Sequence, residues 1–225
     1  MGISVKEFAN MVDFTAVSAT ATEDNVRELV ELAKKYEFIA IGVVPCFVKL
    51  AKELIGDAQI ILGGSAGFPS GDDKTFIKVM MARDMLASGC TEIDMVVNIA
   101  YMKSHLFDKA EEDIKSVVDA CDGTLLKVIL EVTYMTDYEI GKGCEIIAKA
   151  GADYVKTGTG WAPNPTTVDH IKLMKAAIGD SIKIKAAGGI RTLETVETMI
   201  DLGVSRFGIG KDSALKIIGE IEARG

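Results

Sequence analysis

Eight short apolar runs, each followed by an amphipathic stretch of helical length, constrain the fold of this chain more than any other feature. The runs lie near residues 11–15, 38–44, 59–65, 91–97, 124–131, 153–157, 181–186 and 205–209. Strands that alternate with helices form a parallel sheet, and eight such units close into a (β/α)8 barrel. The sequence therefore predicts an α/β fold, a single TIM-barrel domain over residues 1–225.

The alternative fold is an open, doubly wound parallel sheet with helices on both faces. That fold carries a glycine-rich phosphate-binding turn after its first strand. Here the first run continues into TAVSAT (residues 15–20), which contains no glycine. The missing turn favours the closed barrel.

Composition and charge exclude several classes of partner. The formal net charge is −8, so the general field of the protein repels nucleic acid and anionic membranes. The four cysteines are widely spaced without a CxxC pair, which is typical of reduced thiols in a cytoplasmic protein. With only two histidines, His105 and His170, a histidine-based metal site has too few ligands.

Three lysines recur at equal intervals inside consecutive runs: Lys127, Lys156 and Lys185. Neighbouring strands lie about 4.8 Å apart, so the three ammonium groups are predicted to meet inside the barrel. Any one of them alone could reach solvent at a strand end or pair with a carboxylate. Three cations in a desolvated site are costly unless one is neutral, and a neutral lysine is a nucleophile for carbonyls. We predict that Lys156, at the end of the sixth run, is this nucleophile.

Asp94 lies in the middle of the fourth run, where a carboxylate is buried. A buried carboxylate needs a cationic or hydrogen-bonding partner. It could form a structural salt bridge with Lys127 or Lys185, or exchange a proton with a lysine through bound water. The sequence leaves both open, and we favour proton transfer.

Glycines after the last two runs predict a phosphate site. Gly188 and Gly189 follow the seventh run, and Gly208 and Gly210 belong to the eighth. In TIM barrels these two loops and the next helix N-terminus frequently bind phosphate. Lys211 would add a charge there, with Asp212 or Ser213 capping the helix, although a lysine in a loop is often solvated.

Seven segments together resemble one family, the deoxyribose-phosphate aldolases. They are VDFT (12–15), GFPSG (67–71), EIDMVVN (92–98), LLKVILE (125–131), GADYVKTGTG (151–160), KAAGGIRT (185–192) and RFG (206–208), and they span nearly the whole chain. The resemblance implies a class I aldolase that reversibly cleaves 2-deoxy-D-ribose 5-phosphate into acetaldehyde and D-glyceraldehyde 3-phosphate. It also implies a homodimer or homotetramer that uses no metal or organic cofactor.

The resemblance further implies roles for individual residues. Lys156 would form the Schiff base, while Lys185 would lower its pKa and join Asp94 in proton transfer. The remaining residues would bind substrate or phosphate, or support the site: Asp13, Thr15, Lys127, Thr157, Gly160, Gly188, Gly189, Gly208, Gly210 and Lys211.

Several positions depart from the family pattern and leave the substrate open. The departures are Ala16, Val17 and Ser18 in place of Leu-Leu and Lys or Asn, Gly42 in place of a cysteine, Trp161 in place of Phe or Lys, and Gly210 and Lys211 in place of serines. One alternative is a related Schiff-base aldolase for another phosphorylated sugar or keto compound. Another is a non-catalytic paralogue that binds a sugar phosphate, against which the retained lysines and Asp94 argue.

Overall fold

The computed structural model describes residues 2–224, and its eight parallel strands close into the predicted barrel. Each strand pairs with the next along the chain, and β8 pairs with β1, which excludes the open sheet. Each of the eight predicted runs overlaps one strand. The strands are β1 (Val12–Ala16), β2 (Ala40–Val43), β3 (Ile61–Ala66), β4 (Glu92–Val96), β5 (Leu125–Ile129), β6 (Tyr154–Lys156), β7 (Lys183–Ala187) and β8 (Val204–Gly210).

Ten α-helices flank this barrel in the described part of the chain. They are α1 (Val5–Ala9), α2 (Glu23–Tyr36), α3 (Val48–Ile55), α4 (Thr75–Ala87), α5 (Ile99–Lys103), α6 (Phe107–Cys121), α7 (Asp137–Lys149), α8 (Val168–Ile178), α9 (Leu193–Asp201) and α10 (Lys211–Glu222). Short 3-10 turns at Pro45–Phe47 and Val132–Tyr134 follow β2 and β5. No helix within residues 2–224 is long and apolar enough to cross a membrane.

Helix α2 shows how local sequence fixes these elements. Thr22 accepts from the backbone N–H of Asn25, and the Asn25 side chain accepts from the backbone N–H of Thr22, which forms a capping box. Apolar residues at helical spacing then face the barrel, and the structure buries all four that the pattern selects: Val26, Leu29, Val30 and Ala33.

The apolar core lies between the strands and the helices, whereas the barrel interior carries charge. Successive side chains of a strand point to opposite faces of the sheet. The outward set is apolar and buried beneath the helices, for example Phe14, Ile41, Ile93, Val128, Val155, Ile184 and Phe207. The inward positions of β1, β4, β5, β6, β7 and β8 include six charged residues that are mostly buried: Asp13, Glu92, Lys127, Lys156, Lys185 and Arg206. The fold therefore gathers these charges at its centre.

Candidate active site

One cavity of about 630 Å³ opens at the carboxyl ends of the strands. This is the end of a TIM barrel that carries catalysis. Of the thirteen site residues that the sequence predicts, ten line it: Asp13, Thr15, Asp94, Lys156, Gly160, Lys185, Gly188, Gly189, Gly208 and Gly210. Three do not: Lys127, Thr157 and Lys211.

Three lysines converge on Asp94, as their spacing in the sequence predicts. Lys156 Nζ donates to Asp94 Oδ2 at 2.7 Å, and Lys185 Nζ donates to the same oxygen at 2.8 Å. Lys127 Nζ lies 3.2 Å from Asp94 Oδ1. Asp94 thus contacts three ammonium groups, and Lys156 is the one that ends its strand beside the cavity.

A second layer of ion pairs supports these groups from below. Lys127 donates to Glu92, and Lys185 donates to Asp13. Arg206 joins the two carboxylates, with Nε 2.5 Å from Asp13 and Nη2 3.2 Å from Glu92. The sequence prediction missed Glu92 and Arg206. The sequence contains a signal for each of these residues. Glu92 lies two residues before Asp94, and Arg206 is the first residue of the RFG segment.

The network holds one cation more than it holds carboxylates, and Lys156 is the cation whose charge is least favoured. Its pKa is lowered to about 8: burial is the largest cause, Asp94 opposes it, and the ammonium of Lys185 lowers the pKa further. Burial also acts to lower the pKa of Lys127, but the surrounding carboxylates outweigh it and raise that pKa. At Asp94 burial acts to raise the pKa, and the three lysines hold it well below its usual range. A nucleophilic amine and an ionised carboxylate therefore share a hydrogen bond.

The wall of the cavity at the ends of β6 and β7 has the features of an anion site. Gly160, Gly188 and Gly189 have φ values of 81°, 92° and 83°, a backbone region that side chains other than glycine rarely adopt. A Cβ on Gly189 would lie 2.4 Å from Pro165 Cβ. These glycines bring backbone N–H groups close to the cavity, as anion sites require.

The N-terminus of α10 meets the same wall. β8 runs directly into this helix, with Gly210 as the N-cap, so the expectation that Asp212 or Ser213 caps it is wrong. No side chain caps this end within residues 2–224, which leaves the first-turn N–H groups available to an anion. Gly210 and Ser213 line the cavity beside them.

The structure places Lys211 away from the cavity. As the first residue of α10 it donates to Glu28 Oε2 on α2 at 2.6 Å, because the helix starts two or three residues earlier than a cap at Asp212 or Ser213 implies and turns this side chain toward α2. Arg191 lies at the cavity instead and has no carboxylate partner within residues 2–224. The sequence prediction missed Arg191, although KAAGGIRT contains it.

Thr157 lies beneath the glycine loops that follow β6 and β7, with its hydroxyl hydrogen-bonded to the backbone. That hydroxyl accepts from the Ala187 N–H and donates to the Ala187 carbonyl, both at 2.8 Å. The Thr166 hydroxyl donates to the same carbonyl at 2.7 Å. Nearby, Thr159 donates its hydroxyl and, at 3.1 Å, its N–H to Glu131. Thr157 therefore ties the loops after β6 and β7 together.

Two of the departures from the family pattern shape the β1–β3 side of the cavity. Trp161 donates its indole N–H to the Val17 carbonyl at 3.0 Å and meets the edge of Phe68, with ring centroids 5.8 Å apart. Gly42, on the inner face of β2, contributes no side chain. This side of the cavity consequently combines apolar groups with the small hydroxyl side chains of Thr15 and Ser65.

Comparisons with known proteins agree with this geometry. Residues 6–216 match the family model described as DeoC/LacD family aldolase. The chain is 40% identical to the deoxyribose-phosphate aldolase of Klebsiella pneumoniae subsp. pneumoniae, covering 99% of this chain and 90% of that protein. It is 39% identical to the enzyme of the same name from Caldanaerobacter subterraneus subsp. tengcongensis, covering 99% and 96%. The tetrameric deoxyribose phosphate aldolase structure from Aeropyrum pernix superimposes with a TM-score of 0.88 at 27% identity, covering 99% and 94%.

Proposed function

Because the chain belongs to the DeoC/LacD family of aldolases, we propose that it reversibly cleaves 2-deoxy-D-ribose 5-phosphate into acetaldehyde and D-glyceraldehyde 3-phosphate. The reaction runs through a Schiff base on Lys156. The observation that carries this proposal is a lysine at a cavity with its pKa lowered to about 8, hydrogen-bonded to an ionised carboxylate. An amine with such a pKa is available as a nucleophile near neutral pH.

The first half of the reaction forms the imine. Lys156 Nζ attacks C1 of the open-chain sugar, and the carbinolamine loses its hydroxyl as water. Asp94 and Lys185 share a hydrogen bond beside the reacting atoms, so they carry the protons that these steps require. The positively charged imine is then the electron sink, the role that a Lewis-acid metal fills in other aldolases.

The second half breaks the C2–C3 bond. The C3 hydroxyl gives up its proton, D-glyceraldehyde 3-phosphate leaves, and the bonding electrons form an enamine on C2. A proton returned to C2 regenerates the imine, which water hydrolyses to acetaldehyde and the free amine. Since the imine supplies the electron sink, activity is expected to survive EDTA.

The glycine wall fits the phosphate of this substrate. Backbone N–H groups at Gly160, Gly188 and Gly189, with the N-terminus of α10, supply donors to a dianion. We assign the charge-assisted contact to Arg191 rather than to Lys211, because Lys211 is paired with Glu28. Asp13 and Lys127 hold Lys185 and Asp94 in place, and Thr15 borders the sugar.

Borohydride trapping tests the Schiff base. Borohydride added with acetaldehyde is expected to inactivate the protein and to add one reduced ethyl group to the peptide that contains Lys156. The Lys156→Arg variant serves as the control, because it keeps the charge and lacks the nucleophilic amine. A modified peptide elsewhere, or an unmodified Lys156 peptide, would contradict the assignment.

The proposal also includes the oligomeric state and the cellular location of the protein. We propose a homodimer or homotetramer in the cytoplasm, supported by the tetrameric relative from Aeropyrum pernix. Light scattering on the purified protein measures the assembly directly. A monomer at micromolar concentration would contradict it.

A further inference from the structure

Six charged side chains inside the barrel form a closed ring in which each charge lies between two of opposite sign. The three cations and three carboxylates alternate in the order Arg206, Asp13, Lys185, Asp94, Lys127 and Glu92, and Glu92 contacts Arg206 again. The longest contacts of the ring are 3.2 Å, from Lys127 Nζ to Asp94 and from Arg206 Nη2 to Glu92. The ring as a whole is neutral, because each of its carboxylates is matched by one of its cations.

Lys156 lies outside this ring. Within residues 2–224 the carboxylate that its ammonium contacts is Asp94, at 2.7 Å, and Asp94 already lies between Lys185 and Lys127. Lys156 therefore shares a carboxylate that the ring has already matched, and it is the surplus cation of the barrel interior.

The groups that face Lys156 from the other elements are the ring members, Arg191 at the rim and uncharged residues. Strands β2 and β3 contribute Gly42, Gly63 and Ser65 to the cavity. Below the ring, at the amino ends of β6 and β7, the Lys183 ammonium lies 5.5 Å from the centre of the Tyr154 ring. The ring is thus the part of the surroundings in which a change of one residue changes the charge closest to Lys156.

An irregularity in β8 brings Arg206 into the ring. β7 and β8 pair Ile184 with Val204 and then Lys185 with Arg206, so that Ser205 is an extra residue in β8. Without this extra residue Arg206 would pair with Ala186, which is buried among the apolar residues of the core. Extra residues in a strand often redirect a side chain next to an active site. Here the irregularity turns Arg206 toward the interior.

Stability alone does not account for the ring. TIM-barrel interiors are usually filled by Val, Ile and Leu, and replacing buried ion pairs by apolar residues is often neutral or stabilising. Glu92 and Arg206 do not line the cavity, so they do not contact a substrate there. What these two residues change is the number of charges around Lys156.

We propose that Glu92 and Arg206 are positioning residues that set the pH range in which Lys156 reacts, through the balance of charge in the ring. This inference rests on the proposed function, since Lys156 is taken as the nucleophile. Burial acts to lower the pKa of Arg206, but Asp13 and Glu92 outweigh it and raise that pKa. The guanidinium therefore keeps its charge at every pH at which the protein works.

The two residues have opposite expected effects. Both β4 and β8 are two strands away from β6, roughly 10 Å at the usual strand spacing. A unit charge at this distance in a protein changes a pKa by about one unit. Arg206→Gln removes a cation, so the pKa of Lys156 should rise by about one unit. Glu92→Gln removes a carboxylate, so the pKa should fall by about one unit.

The test measures the protonation of Lys156 without catalysis. Wild type and variants are treated with a trace of acetic anhydride at a series of pH values from 6 to 10. Peptide mass spectrometry then gives the acetylation of Lys156 relative to that of Lys49, an exposed lysine on α3. Only the neutral amine is acetylated, so the midpoint of the profile reports the pKa of Lys156.

Three controls separate charge from shape. Arg206→Lys and Glu92→Asp keep the charges and should keep the wild-type midpoint, even where they lower stability. The double variant Glu92→Gln/Arg206→Gln removes one charge of each sign and should return the midpoint close to that of wild type. Lys78→Met/Asp113→Leu removes a buried ion pair outside the barrel and should leave the midpoint unchanged.

The comparison at each residue decides the proposal separately, so that one variant that does not fold leaves the other comparison valid. Midpoints of Arg206→Gln and Glu92→Gln that stay at the wild-type value, or that move in the same direction, overturn the proposal. Equal shifts in Arg206→Gln and Arg206→Lys, or in Glu92→Gln and Glu92→Asp, assign the effect to shape and also overturn it.

Failure of the proposed function has a different signature. Opposite shifts of the acetylation midpoint, without any trapping of acetaldehyde on Lys156 by borohydride, would support the role of the ring and contradict the aldolase reaction. Trapping on Lys156 with midpoints that do not shift would support the reaction and overturn the role of the ring.

Discussion

Two buried lysines of this protein each donate to an aspartate at 2.7 Å, but their surroundings differ. Lys78 on α4 is fully buried against Asp113 on α6, and it also donates to the Val96 carbonyl at 2.9 Å. Lys156 contacts Asp94 inside the barrel. Burial lowers the pKa of both lysines. A lowered pKa therefore does not distinguish a structural lysine from a reactive one.

The number of cations around the aspartate does distinguish them. Asp113 has Lys78 as its one cationic partner within residues 2–224, with the Thr75 hydroxyl beside it. Asp94 has three ammonium groups. When Lys156 is a neutral amine, Asp94 keeps two partners, whereas a neutral Lys78 would leave Asp113 buried and unpaired. The excess of cations in the barrel would let one lysine give up its charge and act as the proposed nucleophile.

The largest expected effect is the difference in kcat between two variants, one with Lys156 and one with Lys78 replaced by methionine. Lys156→Met should lose roughly 10⁴-fold or more in kcat, because no other side chain can form the imine. Lys78→Met should keep kcat per folded molecule, since Lys78 does not line the cavity. Steady-state cleavage of 2-deoxyribose 5-phosphate measures both. Comparable losses of kcat in the two variants would contradict the distinction between a reactive Lys156 and a structural Lys78.

The same pair of variants should change stability in opposite ways. Lys78→Met leaves a buried carboxylate unpaired, which costs about 3–5 kcal/mol in the free energy of unfolding. Burial lowers the pKa of Lys156 from 10.5 to about 8, so below pH 8 the charged lysine carries the full penalty of burial and opposes folding, and this penalty falls as the pH rises above 8. Lys156→Met should thus unfold in urea at a concentration no lower than wild type. The double variant Lys78→Met/Asp113→Leu should recover most of the lost free energy of unfolding. If it does not, the unpaired carboxylate of Asp113 is not the cause of the loss.

The number of partners also separates Arg191, which lines the cavity, from Lys211, which does not. Arg191→Ala should raise KM for the phosphorylated sugar roughly 10- to 100-fold, the worth of a charge-assisted hydrogen bond, with less effect on unphosphorylated 2-deoxyribose. Lys211→Ala is the matched control and should leave KM near the wild-type value, because Lys211 is paired with Glu28. A larger effect at Lys211 than at Arg191 would reverse our assignment.

The smallest effect is a shift in pH dependence. Only the neutral amine attacks, so the rate of imine formation should rise with pH through about 8 in the wild type. Lys185→Met removes a cation that lowers the pKa of Lys156 and leaves Asp94 in place, so the pKa should rise. Loss of Lys185 as a proton carrier slows imine formation at every pH, and the raised pKa of Lys156 in addition moves the midpoint of the rate profile to higher pH. Stopped-flow measurement over pH 6–10 detects this, and a profile identical to that of Lys78→Met would show that Lys185 has no such influence.

The barrel and the central lysines were predictable because they follow from periodic patterns. Eight alternating runs specify eight strands, and equal spacing brings Lys127, Lys156 and Lys185 to neighbouring strands at similar depth. Charged side chains at inward positions then meet inside the barrel, regardless of the conformation of the loops. The sequence identifies these groups without any knowledge of distances.

The remaining features depend on contacts that no local pattern records. Arg206 pairs with Asp13 only because β8 closes on β1, so the excess of cations emerges once the barrel is complete. Lys78 lies on a buried face of α4. From the sequence a charged residue is predicted to be exposed, and only the contact with Asp113 on α6 explains its burial. The direction of Lys211 depends on a helix start that lies two or three residues before the expected one.

The bonds that tie Thr157 to Ala187 and Thr159 to Glu131 affect how quickly a ligand can be captured. They form within the protein itself, so the loops after β6 and β7 hold their shape before any phosphate arrives. Association then needs little ordering of the backbone, and most of the conformational entropy that binding normally loses has already been lost on folding. A site that is preformed in this way is expected to bind the phosphorylated sugar at a lower entropic cost than one whose loops must fold around it.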